Sequence, residues 1–174
     1  MDKALIDNIE ANRKEYERLL KDDNYIDVHF NIENGGVKAT HINHKFDNKN
    51  GKYEKNVQNI GFNNGDVVIF ESEKGKPIGQ RYTEGLWNGK SFEIAGAETG
   101  TSNNVKKGLN HCASKPNVKL AVLYFPNDNF TNATFENAFA RYEGIGKSGG
   151  KGYVKFDEIL CICNTKILYR KKAT

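Results

Sequence analysis

The chain has 174 residues, 37% hydrophobic and 28% charged, which suits one compact core and leaves little length for two comfortable domains. Its 26 lysines and arginines exceed its 22 aspartates and glutamates, and the resulting charge of +4 favours a polyanionic partner without requiring one. No window approaches the roughly 20 apolar residues of a membrane span, and Met1-Asp2-Lys3-Ala4-Leu5-Ile6-Asp7 lacks a signal-peptide core, so a soluble chain without an export signal of its own is expected.

Leu5, Ile6, Ile9, Tyr16, Leu19 and Leu20 fall near helical spacing, with Asp2 as cap, which predicts an amphipathic helix over 3–21. Residues 25–31 alternate Tyr25, Asp27 and His29 against Ile26, Val28 and Phe30, and a second extended run follows Gly35-Gly36, which predicts a hairpin. Tyr53, Val57 and Ile60 then place a helix over 51–64, stopped by Asn63-Asn64-Gly65, and Val67 to Phe70 is a strand. The polar stretch 72–86 is expected to be a mobile loop. Trp87-Asn88-Gly89-Lys90 is a hairpin turn leading to a strand at 91–95.

Thr101 to Asn104 caps a helix reaching about Ser114, and Val118 to Phe125 is a buried strand. A helix over 131–143 presents Phe135, Ala138, Phe139 and Tyr142 on one side, and Gly144 to Gly152 is expected to be a flexible loop. Phe156 to Cys163 and Thr165 to Arg170 close the chain as a hairpin about Asn164. The order α-β-β-α-β-β-α-β-α-β-β is that of an α+β domain around a mainly antiparallel sheet.

Three cysteines, Cys112, Cys161 and Cys163, are odd in number, and two alternate within an apolar run. Reduced structural thiols in a reducing compartment fit them better than a disulfide framework. The sequons at Asn129 and Asn132 are then chance matches.

The segment from Gly35 to Lys45 holds half of the four histidines, behind a Gly-Gly turn. Imidazole titrates near neutrality, so His41 and His44 could supply one proton acceptor and one donor at the same pH. Spacing alone does not make them partners, since residues three apart lie on opposite faces of a strand but on the same side of a helical turn. Thr165, Ile167 and Tyr169 share one face of the last strand, as phosphate-binding oxygens or simply as core. His41-x-x-His44 with Cys161-x-Cys163 would make four zinc ligands, but the cysteines lie in an apolar strand without a Gly-bearing knuckle. Asp66 and Glu93 resemble part of a divalent-metal nuclease motif, in which Ala95 stands where a lysine should orient the attacking water. His29 and His111, each alone in a regular element, receive no role.

The string Gly-Gly-Val-Lys-Ala-Thr-His-Ile-Asn-His-Lys-Phe-Asp at 35–47, the Tyr53 to Val57 helix, the strand holding Phe92-Glu93-Ile94 and the helix start at 101–104 resemble one family. It is the barnase–EndoU–RelE-like group of nuclease domains found in bacterial polymorphic, contact-dependent inhibition toxins and in phage head or minor capsid proteins. The resemblance covers about residues 25–174 and leaves 1–24 as an N-terminal helical segment. It implies an N-terminal helix, a twisted antiparallel sheet flanked by helices, and a metal-independent endoribonuclease acting on tRNA or other RNA. Carried over by matching positions, it implies His41 and His44 as the acid–base pair, Lys45 or Lys55 as phosphate-facing cation, Glu54 as alternative base, and Thr165 with Tyr169 on the last strand.

The expected reaction is attack of a ribose 2′-hydroxyl on the adjacent phosphorus, with His41 taking the proton and His44 protonating the 5′-oxygen. Thr101, Ser102 and Asn104, with Lys55, are the expected substrate-binding residues. No metal or cofactor is expected, because the nucleophile belongs to the substrate. A monomer with RNA and a cognate immunity protein as partners follows, cytoplasmic in the producing or target cell and secreted if it is part of a larger toxin. A non-catalytic nucleic-acid or head-assembly module and a metal-dependent DNase are the alternatives.

Overall fold

A computed structural model describes residues 2–72, 83–127 and 131–173. Most of the expected loop at 72–86, and Asn129, therefore lie outside the described residues. The chain forms two compact units that part between Lys90 and Ser91.

The first unit begins with α1 (Lys3–Leu20), whose Asp2 cap accepts a hydrogen bond from the Ala4 N–H at 3.1 Å. Leu19 packs with Val37, Ala39, Val67 and Ile69 in a buried cluster flanked by Tyr16, Tyr25, Val28 and Phe30. This packing joins α1 to the strands. Strands β1 (Tyr25–Phe30) and β2 (Val37–His41) form the expected antiparallel hairpin. Its loop needs both glycines: Gly35 has φ +85°, and a Cβ on Gly36 would lie 1.9 Å from the Phe62 carbonyl oxygen.

Helix α2 (Gly51–Asn63) carries the chain back so that β3 (Val67–Phe70) runs parallel to β2, with Val37 opposite Val67 and Thr40 opposite Phe70. A short β4 (Gly85–Trp87), absent from the expected order, pairs antiparallel with β3. The register sorts side chains by face. Val37, Ala39, Val67 and Ile69 meet α1, whereas Lys38, Thr40, Val68 and Phe70 point the other way. The Gln58 amide of α2 fixes that second face by donating to the Ala39 and Val68 carbonyls at 3.0 and 3.2 Å.

Strict alternation in β1 fails. The ladder shifts between Ile26 and His29, and Asp27 takes φ +52°, so one residue is bulged out. Tyr25, Val28 and Phe30 consequently reach the α1 side, while His29, opposite Lys38, joins the α2 face.

The second unit begins within β5 (Lys90–Gly96), which follows Asn88 and Gly89, both with positive φ. Helix α3 (Ser102–Ala113) leads to β6 (Leu120–Phe125), parallel to β5, and α4 (Asn132–Lys147) leads to β7 (Glu158–Cys163), parallel to β6. Strand β8 (Lys166–Lys172) returns antiparallel, after a turn at Asn164 with φ +56°. Val105, Leu109 and Cys112 of α3 and Phe135, Ala138 and Tyr142 of α4 bury themselves on Leu123, Phe125, Cys161 and Cys163. Among the described residues, the N-terminal helix, eight strands and three later helices give an α+β protein. The hairpins β1–β2, β3–β4 and β7–β8 are antiparallel, and the pairs spanned by a helix are parallel.

Candidate active site

His41 and His44 do not converge. His41 ends β2 on the α1 face, half-buried, with its ring edge-on to Tyr25 at 5.3 Å and its Nδ1 accepting from the Asn43 N–H at 3.0 Å. The chain then turns, the His44 N–H donating to the His41 carbonyl at 2.9 Å. The His44 ring emerges on the opposite face, stacked on Phe70 at 4.7 Å and meeting the edge of Phe46 at 4.8 Å. The expected shared groove for the two imidazoles is thus replaced by one ring on each side of the sheet.

His44 is instead joined to two carboxylates. Its side chain is 0% exposed, and its Nδ1 lies 2.9 Å from the Glu71 carbonyl oxygen, an acceptor, so Nδ1 carries the proton. Its Nε2 lies 3.7 Å from Oε1 of Glu54, in the first turn of α2, and 3.8 Å from Oε2 of Glu84, just before β4. Glu54 Oε2 accepts from the Asp47 N–H at 3.1 Å. Burial disfavours the Glu54 charge, and the hydrogen bond from the Asp47 amide favours it. Sequence reasoning missed Glu84 because it falls in the polar stretch taken for a loop.

On the same face, a cavity of about 290 Å³ is lined by Asp27, His29, Lys38, Thr40, Phe46, Lys55, Gln58 and Asn59. Lys55 Nζ stands 4.7 Å over the Phe46 ring, and Lys38 Nζ donates to Asn59 Oδ1 at 2.7 Å. An imidazole, two ammonium groups, a carboxylate and an aromatic ring therefore face one open space. Such a set can bind a phosphodiester, move a proton and stack a base. Lys55 is the expected site residue found here. His29 and Lys38 were overlooked because they become neighbours only across the β1–β2 pairing.

The other expected residues have local work. Lys45 is exposed beyond His44. Thr101 caps α3, accepting from the Asn104 N–H at 3.2 Å, and Asn104 Nδ2 donates to the Thr99 carbonyl at 3.0 Å. Ser102 Oγ donates to Asn137 Oδ1 at 2.8 Å, tying α3 to α4. Thr165 lies exposed in the β7–β8 turn rather than on the strand. The Tyr169 ring packs 4.2 Å from Phe135 and its hydroxyl donates to Glu136. The Asp66 carboxylate accepts from Asn64 and Asn88, and Glu93 Oε2 meets Lys115 at 3.1 Å and His111 at 3.3 Å. All three cysteines are free and buried, and burial pushes the thiols of Cys112 and Cys161 well up, away from the thiolate that zinc needs.

No protein-family model matches the chain, and neither does any curated protein. Among solved structures, the fold is similar to a chain of a CdiA-CT/CdiI toxin and immunity complex from Burkholderia pseudomallei. The two are 15% identical with a TM-score of 0.48, over 72% of this chain and 86% of that one.

Proposed function

We propose that this chain is an endoribonuclease whose substrate binds in the open cavity on the α2 face of the first unit. The gathering of Asp27, His29, Lys38, Lys55 and Phe46 around that cavity carries the reading. Lys38 and Lys55 bind the non-bridging phosphoryl oxygens and stabilise the charge that grows on them, and Phe46 offers a face to an unpaired base. The Asp27 carboxylate takes the 2′-hydroxyl proton, the freed oxygen attacks the neighbouring phosphorus, and protonated His29 gives its proton to the departing 5′-oxygen. The product ends in a 2′,3′-cyclic phosphate. Roles assigned from sequence to His41 and His44 pass to Asp27 and His29, and Lys55 keeps the role expected of it.

The likeness of residues 35–47 and 92–104 to toxin nuclease domains supports tRNA as substrate and a cognate immunity protein as partner. The net charge of +4 is consistent with RNA.

Incubation with total bacterial RNA, followed by end-group analysis, tests the proposal. We expect cyclic-phosphate ends and no cleavage where a 2′-deoxynucleotide replaces the ribose at the cut. His29→Asn should lower the rate at least about a hundredfold, the typical worth of a positioned acid or base, with thermal unfolding nearly unchanged because His29 is exposed. Cutting at a 2′-deoxy position, or full activity in His29→Asn, refutes the mechanism.

A further inference from the structure

We propose that His44, Glu54 and Glu84 bind one divalent cation of the zinc class, a structural site that ties α2 to the segment after β2 and the start of β4. It goes beyond the catalytic reading, since the side chains of His44 and Glu54 are 0% and 7% exposed and reach no substrate.

The first argument is an orphaned atom. Among the described residues, the buried His44 Nε2 has no hydrogen-bond partner, although Nδ1 of the same ring is satisfied by the Glu71 carbonyl. With the proton on Nδ1, Nε2 presents a lone pair. It points at two carboxylates, which present lone pairs of their own, and three such donors facing one another repel unless something positive lies between them.

The spacing decides what that positive group is. A protonated imidazole would donate to a carboxylate at about 2.7–2.9 Å, whereas the two separations are 3.7 and 3.8 Å. A proton shared by the carboxylates would leave Nε2 still unpartnered. A metal ion explains the gap. The three donor atoms lie within 4.8 Å of one another, and ligands at about 2.0–2.1 Å in a tetrahedron are separated by roughly 3.4 Å, so an inward shift of about half an ångström closes the site.

The surroundings have the form that metal sites require. The Glu71 carbonyl fixes the imidazole tautomer, the Asp47 amide holds the second oxygen of Glu54, and Phe70 and Phe46 keep the ring in place. Two carboxylates balance a +2 charge, and one nitrogen with two oxygens suits zinc, leaving a fourth position for water. The Glu84 side chain, 20% exposed, gives the ion its way in.

The test uses the full chain, stripped with chelator and dialysed against Zn²⁺. We expect one zinc per chain by elemental analysis and a melting temperature that rises with Zn²⁺ and falls again with chelator. Glu84→Gln, at the most exposed ligand, should fold and bind zinc at least about tenfold more weakly, and Glu54→Gln should do the same. Co²⁺ in the site should show weak ligand-field bands without thiolate charge transfer. Lack of stoichiometric zinc, undiminished affinity in both glutamine variants, or a thiolate band that places the metal on cysteine would each overturn the proposal.

Discussion

Asp27 holds a left-handed backbone conformation, φ +52°, that costs an L-residue about 1–2 kcal/mol relative to its right-handed alternatives. The cost is borne at the point where the chain bulges and a carboxylate meets the cavity. Asp27→Gly should therefore keep or raise the melting temperature while lowering RNA cleavage at least about a hundredfold. Parallel loss of both in calorimetry and cleavage assays would make Asp27 a purely structural residue. Single residues were also the least legible part of the sequence. The pair His41-x-x-His44 was visible, but which face each ring takes depends on where β2 ends. His29 looked isolated because its neighbour Lys38 arrives through hairpin register, which the bulge resets by one residue. Glu84 gave no signal at all, because a carboxylate in a polar stretch has no periodicity to mark it as part of a site.

Elements announced themselves wherever a cap did. Asp2, Thr101 and Thr131 each accept from a backbone N–H of the first helical turn, and those helix starts were readable to within a residue. Thr101→Ala is expected to cost about 1 kcal/mol of stability, the usual worth of a cap, and to leave cleavage unchanged. A selective loss of cleavage would restore Thr101 to substrate binding. Helix α4 ran past its expected end at 143 to Lys147 because Gly144 and Gly146 do not break it. A Cβ at Gly146 would lie 2.6 Å from the Tyr153 ring, so that glycine makes room for packing rather than for a turn. Strand β4 escaped notice because three residues are too few to show alternation. The parallel pairs were equally hidden, since hydrophobic strings such as Leu120 to Phe125 reveal burial on both faces and not direction.

At the scale of the whole molecule, three phenols among the described residues resist ionisation. Burial first, and for Tyr25 and Tyr169 also the carboxylates Glu71 and Glu136, push Tyr25, Tyr142 and Tyr169 up to about 12. In the unfolded chain they ionise near 10. The folded state therefore holds more protons between about pH 10 and 12, and stability falls as pH rises through that window while being fully present below it. Urea titrations should show the midpoint dropping over this range, together with Tyr25, Tyr142 and Tyr169 ionising late in ultraviolet absorbance. A midpoint that stays flat to pH 12 would contradict the shared burial. The crossover that makes β3 parallel to β2 has its own consequence. Asp27, His29, Lys38 and Thr40 arrive on a hairpin closed by a short loop, whereas Lys55, Gln58 and Asn59 arrive on α2. Hairpins close within microseconds, but a strand returning through a helix must first meet the entropy of its longer loop. During refolding the cavity proposed for substrate is thus a late product, complete only when the helix docks.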